Sequence, residues 1–453
     1  MDSPSTSASS RIPGQPHQVL GRREAFAITV GIVVGAGIFR TPSLVAGAAP
    51  GELAMLLAWV VGGLLSIAGA LCYAELATAY PQAGGDYAYL RRAYGPRLAF
   101  LYAWARLTVI QTGSIVLLAY VVGDYMRQIL DLGPWSSSIY AAATVFLLTA
   151  CNWLGVRQGT GLQNVLTVVE VFGLCLVIAA GLLLAPEGTA LAATSDGEGS
   201  LGLVLVFVLL TYGGWNEAVY LTTEMRDARR WMPRILILSL IVIAALYVLA
   251  NLAYLRVLGM GGMAASDAVA ADMMRAVFGG RGAALMSVIV VVAALTSANA
   301  TMITGARSVY AVGRDFPALA AVGRWDERHG SPRVAMLLQG ALSLALVALA
   351  ATALDGFRLA VEYTAPVFWL FFLLVGIALF VLRRRDPDRP RPFRVPLYPA
   401  VPLLFCATSA SLLYSSLVHT GYGALVGVAV LALGGLLLPF IDTPLPPRTD
   451  SSP

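Results

Sequence analysis

Apolar runs long enough to cross a bilayer recur along the chain about twelve times, near 24–48, 53–79, 98–126, 137–154, 162–184, 201–224, 234–256, 282–311, 333–353, 359–382, 398–418 and 422–441. A spanning helix needs about 20 such residues, and inside lipid every backbone group must find its partner within the protein. The pattern therefore predicts an all-α membrane protein. Composition agrees: 58% of the residues are hydrophobic and 12% charged, against about 25% charged in a soluble domain.

The charges that remain orient the chain. All 30 basic residues are arginines, and they gather in alternate connections: Arg91, Arg92 and Arg97; Arg157; Arg226, Arg229, Arg230 and Arg234; Arg314, Arg324, Arg328 and Arg333; and Arg383 to Arg394. Arg22 and Arg23 precede the first run, and the 185–200 connection holds acids without arginine. Basic connections stay cytoplasmic, so both termini are expected inside and the number of spans even. The polar stretches 1–20 and 443–453 read as disordered cytoplasmic tails around one membrane domain at 21–442, and nothing in 1–20 reads as a signal peptide. The 257–281 connection reads as a short surface helix, an outer lid.

The missing lysine also excludes functions. Without it there is no Walker A motif and no Schiff-base residue. H-E-x-x-H and G-x-S-x-G are absent as well, so no enzyme is expected. Three scattered histidines and four cysteines, Cys72, Cys151, Cys175 and Cys406, match no metal spacing. The cysteines read as small core residues. No cofactor is implied, and the arginines beside spans give no nucleic-acid signal. Lipid and a small molecule are the expected partners, with no obligatory partner chain.

Two apolar runs are interrupted by glycine, at Gly35-Ala36-Gly37-Ile38-Phe39 and at Tyr212-Gly213-Gly214-Trp215-Asn216-Glu217. Glycine allows close helix packing, which is one reading. The other is a pair of opened helices at matching places in two halves. Five spans on each side would make an inverted repeat, 24–184 and 201–382, with two further helices at 398–441. An opened first helix aims free N–H groups at a carboxylate, and an opened sixth helix aims carbonyls at an ammonium. Together they describe an α-amino acid held by its backbone.

These residues resemble a family. Val30 to Phe39 is similar to the first-span G-[SA]-G-I-F signature of the amino acid–polyamine–organocation superfamily, and Tyr212 to Asn216 to the sixth-span Y-G-G-W-N of its L-type amino acid transporter branch. Tyr73-Ala74-Glu75-Leu76, Gly84 to Leu90, Ala99 to Trp104 and Arg389 to Pro396 add further matches in order over about 24–440. The resemblance implies a LeuT-like five-plus-five inverted repeat with discontinuous helices 1 and 6, moving an amino acid by alternating access. It places the carboxylate on Val34, Gly35, Ala36, Gly37 and Ile38. The amino group and side chain fall to Leu210, Tyr212, Gly213, Gly214, Trp215 and Asn216. Leu210 stands where L-type relatives carry an aromatic gate, and Glu170 where many carry a lysine.

Ionisable residues within spans are functional candidates by default. Glu170 and Glu217 are candidates for coupling to protons or other ions, and Ser297 and Asn299 in the eighth span for the ion or substrate route. An internal ion pair of Arg106 with Glu75 is the plainer reading of those two. Arg40 either attracts anionic substrates or reaches the outer interface. Trp59, Trp135, Trp153 and Trp231 read as interfacial anchors. Neutral amino acids, branched or aromatic, are the expected substrates, since Leu210 and Trp215 make an apolar wall. Cationic amino acids or polyamines are the runner-up, and a non-transporting amino acid sensor is the alternative from another class.

Overall fold

A computed structural model describes residues 21–81, 85–155, 160–184, 199–219, 225, 227–316, 319–326, 331–419 and 421–440. The expected tails, Arg157, Arg226 and most of the 185–200 connection lie outside these residues. The described chain is helical, and eight of its helices are long and apolar enough to cross a membrane.

The first run folds as α1 (Arg22–Val33), a 3-10 turn (Ala36–Phe39) and α2 (Thr41–Ala48), with Gly35 extended between them. It therefore fails as one long helix. The second run is the unbroken α3 (Glu52–Ala79). A short α4 (Gly85–Tyr94) leads through Gly95, at φ +94°, to Pro96 at the first turn of α5 (Pro96–Ala105), where the missing N–H of proline is harmless. The helix continues through a π-helical stretch, Arg106–Gln111, into α6 (Thr112–Arg127). There the Thr112 hydroxyl donates to the Leu107 carbonyl at 2.6 Å.

Next come α7 (Ser136–Trp153), α8 (Thr160–Leu183) and α9 (Leu201–Thr211), followed by the short α10 (Trp215–Ala218). The long α11 (Ala228–Ala264) bends at Gly259, and α12 (Val269–Asp315) at Gly279. The last four are α13 (Arg333–Ala350), α14 (Gly356–Arg385), α15 (Ala400–Val418) and α16 (Tyr422–Leu437).

The broken helices sit inside this bundle. α1, α2 and α3 lie against α11, α8 against α11 and α12, and α6 between α7, α12 and α14. The segment expected as a surface helix at 257–281 is instead packed: Ala268 to Ala271, Met273 and Met274 are buried, because its apolar residues face the protein. Of the cysteines, Cys72 is buried, whereas Cys151 and Cys175 are exposed. An apolar environment outside the bundle suits a thiol as well as the core does.

Candidate functional site

The first break leaves donors unused. Val34 N–H still reaches the Val30 carbonyl at 2.7 Å and Gly35 N–H the Val33 carbonyl at 2.8 Å. The Ala36 and Gly37 N–H groups, in the first turn beyond the break, reach no acceptor among the described residues. Val34, Ala36 and Ile38 are fully buried, so these donors cannot all turn to bulk water. A buried donor without a partner is costly, and a ligand oxygen is one remedy.

The second break leaves acceptors unused. Gly214 closes it at φ +101°, and an added Cβ there would lie 2.8 Å from the Ile32 carbonyl oxygen. The peptide chains of the two breaks therefore pass within contact, which only glycine permits. The Tyr212 and Gly213 carbonyls accept no hydrogen bond among the described residues.

One phenol ties the breaks together. The Tyr247 hydroxyl of α11 lies 2.9 Å from the carbonyl of Val33, the last residue of α1, and 3.4 Å from that of Thr211, the last of α9. Tyr125 of α6 donates to the Phe39 carbonyl at 2.6 Å. Sequence reasoning missed both tyrosines, because an isolated tyrosine in an apolar run carries no pattern.

Between the broken helices lies a small cavity of about 40 Å³, lined by Gly37, Thr41, Leu117, Phe207, Leu210, Thr211 and Val361. Ligand sites run to roughly 300–1,000 Å³, so the cavity is nearly closed here and the helices around it must part to admit an amino acid. Its lining is uncharged. Gly37 and Leu210 are the sequence-proposed residues that the cavity gathers. Tyr212 faces elsewhere: its hydroxyl donates to the Trp59 carbonyl at 2.8 Å and its ring packs on Tyr247 at 5.1 Å.

Trp215 is not among the lining residues. It stacks with Tyr73 (5.1 Å), Phe372 (5.5 Å) and Phe405 (6.4 Å), over Gly69. Asn216 is buried beside it in α10. Trp59 corrects an expectation. It is wholly buried, 5.7 Å from Tyr247, because its ring completes the aromatic packing behind the breaks rather than resting at the interface.

The charges pair differently from the sequence expectation. Glu75 meets Arg383 and Arg391, and accepts from the Val395 N–H at 2.7 Å. Arg106 instead grips Glu217, with Nη1 2.9 Å from Oε1 and Nη2 3.0 Å from Oε2. The fold brings Glu217 of α10 to Arg106 at the start of the π-helical stretch, which spacing along the chain does not reveal. Arg40 is buried and paired with Asp124 (3.0 Å), Asp267 (3.0 Å) and Asp355 (2.8 Å). It is neither free to attract anions nor at the interface.

Glu170 is buried on α8 with Oε1 unpartnered among the described residues, close enough for its charge to act on Tyr247. Asn299 accepts from the Asn152 amide at 2.7 Å, and Ser297 accepts from the Thr301 hydroxyl through its carbonyl at 2.8 Å. Asn299 thus takes part in hydrogen bonding between α7 and α12.

Two opened helices around an uncharged central cavity, in a multi-pass bundle, define a membrane transporter of small solutes. The amino acid permease family model matches residues 20–434, and the chain belongs to that family. Among its relatives, the human b(0,+)-type amino acid transporter 1 is 29% identical over 93% of this chain and 87% of its own length. The serine/threonine exchanger SteT of Bacillus subtilis is 26% identical over 91% and 95%. The mouse large neutral amino acids transporter small subunit 2 is 31% identical over 92% and 80%. The protein is an amino acid transporter.

Proposed function

We propose that this transporter carries small neutral amino acids across the cell membrane by alternating access. In this reading twelve spans form a five-plus-five inverted repeat with both termini cytoplasmic, and α15 and α16 lie outside it. The substrate carboxylate meets the N–H groups of the first break around Val34, Gly35, Ala36, Gly37 and Ile38. The ammonium meets the carbonyls of the second, around Tyr212, Gly213 and Gly214. The observation that carries this reading is the pair of opened helices, with unused N–H donors at Ala36 and Gly37 and unused carbonyls at Tyr212 and Gly213, beside a small cavity lined by Gly37, Leu210 and Thr211.

The uncharged lining favours a neutral side chain, and Thr41 and Thr211 offer hydroxyls to a small polar one. A cationic substrate would pair with Glu217 or Glu170; the Arg106 guanidinium already neutralises Glu217, and Glu170 is not among the residues lining the cavity. Glu170, mid-membrane and incompletely partnered, is assigned to ion coupling. The chain is expected to work without a partner subunit.

Purified protein in liposomes is the test. Uptake of radiolabelled serine and leucine is expected, with competition by neutral amino acids and little by arginine, putrescine or glutamate. Strong competition by arginine or putrescine would transfer the assignment to the cationic class. Ligand-dependent thermal stabilisation without any flux would make the protein a sensor.

A further inference from the structure

Beneath the break that follows α9, three ionisable side chains meet with unequal charge. Arg106 holds Glu217 by two contacts, at 2.9 and 3.0 Å. It also donates through Nε to the Ser308 hydroxyl of α12 and through Nη1 to the Tyr102 hydroxyl, each at 3.2 Å. Tyr102 in turn donates to Asp86 Oδ2 at 3.0 Å. Asp86 is 3% exposed and Arg106 6%.

Two carboxylates therefore share one guanidinium. Glu217 is the more open member, its side chain 30% exposed; fully ionised, the set places a net negative charge on a cluster whose Asp86 and Arg106 are buried, which a protein interior disfavours. A proton on one carboxylate removes the imbalance. Glu217 has the two-point grip of Arg106, whereas the Tyr102 phenol bridges that guanidinium to Asp86. Asp86 lies on α4, between membrane spans. Burial, with the Glu217 charge adding to it, raises its carboxyl to about 7 against the opposing pull of Arg106 and its phenol donors.

The groups that face Asp86 come from several elements: Tyr73 from α3, Tyr102 and Arg106 from α5 and its continuation, and Glu217 from α10. From α14, Phe371 packs its ring on Tyr102 at 5.1 Å. On α4 itself, Tyr87 and Arg91 are engaged with Asp315 instead, at 2.8 and 3.2 Å.

We propose that this cluster is a proton-binding latch on the cytoplasmic side, in which Asp86 holds a proton while α4, α5, α10 and α12 are joined and gives it to water when they part. Asp86 takes that proton from the outer side while the inner side is shut and releases it inside, so each transport cycle moves a proton with the amino acid. The inference rests on the transport reading above and adds the coupled ion to it.

The sign follows from linkage. A parted, hydrated Asp86 returns to the ordinary carboxylate range of about 4, so the joined state binds the proton more tightly. That stabilisation is fully present below about 4 and is lost as pH rises through the joined-state value near 7. Acid therefore favours the joined latch, and alkali the parted one.

Proteoliposomes with interior pH 7.5 and a pH-sensitive dye inside test the latch. Acidifying the exterior to pH 6.0 is expected to stimulate serine uptake about tenfold over the symmetric condition, with the interior acidifying as serine enters. Asp86→Asn should abolish both the stimulation and the proton flux. Tyr102→Phe removes a donor that favours ionised Asp86, and should move the pH midpoint upward. Wild-type serine flux without proton flux overturns the proposal, as does full stimulation in Asp86→Asn. A wild type with no flux of any amino acid overturns the transport reading instead. If Asp86→Asn does not assemble, the wild-type proton measurement and the Tyr102→Phe midpoint decide the matter.

Discussion

Arg40 donates to Asp355 Oδ2 at 2.8 Å, while Oδ1 of the same carboxylate caps α14 through the Arg358 N–H at 3.0 Å. One aspartate thus fastens the start of α2, the second half of the broken first helix, to the start of α14. Asp124 of α6 and Asp267 of the α11–α12 connection complete the set around Arg40. Removing the guanidinium strands a buried Asp124, and breaking a buried pair costs about 3–5 kcal/mol. Arg40→Ala should lower the thermal midpoint in detergent. It should also raise labelling of a cysteine placed at Leu117 by an impermeant reagent added outside. Unchanged labelling would show that the cluster does not hold the outer side shut.

The two glycine breaks should respond differently to alanine. At Gly37 a Cβ would meet Thr211 Cγ2 at 3.5 Å, an ordinary contact, so Gly37→Ala should fold normally and raise KM by filling the cavity. At Gly214 the left-handed backbone costs an alanine about 1–2 kcal/mol, before the 2.8 Å contact with Ile32 is counted. Gly214→Ala should therefore reduce the yield of folded protein. Size-exclusion profiles and uptake kinetics separate the two cases.

Leu210 borders the cavity where its size limits the substrate. Leu210→Ala should shift preference toward larger neutral amino acids, by about tenfold in the ratio of kcat/KM, at the low end of what a few methylenes supply. Competition of serine uptake by leucine and phenylalanine reads this directly. An unaltered ranking would move the side-chain pocket elsewhere.

Glu75 joins α3 to the segment after α14 through Arg383, Arg391 and the Val395 N–H. Its side chain is 1% exposed, so the pair is buried on at least one side. Glu75→Gln should lower stability by about 3 kcal/mol and leave KM for serine within twofold, because the cavity is built from other helices. A large KM change with no loss of stability contradicts a purely structural role.

Glu170→Gln separates coupling from binding. Its effect should appear in the pH profile of uptake more than in substrate affinity. A profile identical to wild type counts against its assignment to ion coupling.

Much of the site was legible as punctuation. Gly35, Gly37, Gly213 and Gly214 marked both breaks because two glycines are out of place in an apolar run unless the backbone is used. The lining was not legible. Leu117, Phe207 and Val361 look like any other residues in a chain that is 58% hydrophobic, and only the crossing of α6, α9 and α14 selects them. Trp59 misled for the same reason: position along a run does not say which way a ring points.

The sequence by itself determined that the chain is a helical membrane protein opened at two points, because hydrophobic run length and glycine act locally on the backbone. The tertiary structure decided the partners. Arg40 lies 315 positions from Asp355, and Arg106 111 positions from Glu217. Coulomb attraction acts through space, so only the packed bundle could choose which acid each arginine meets, and leave Asp86 beside a charge already taken.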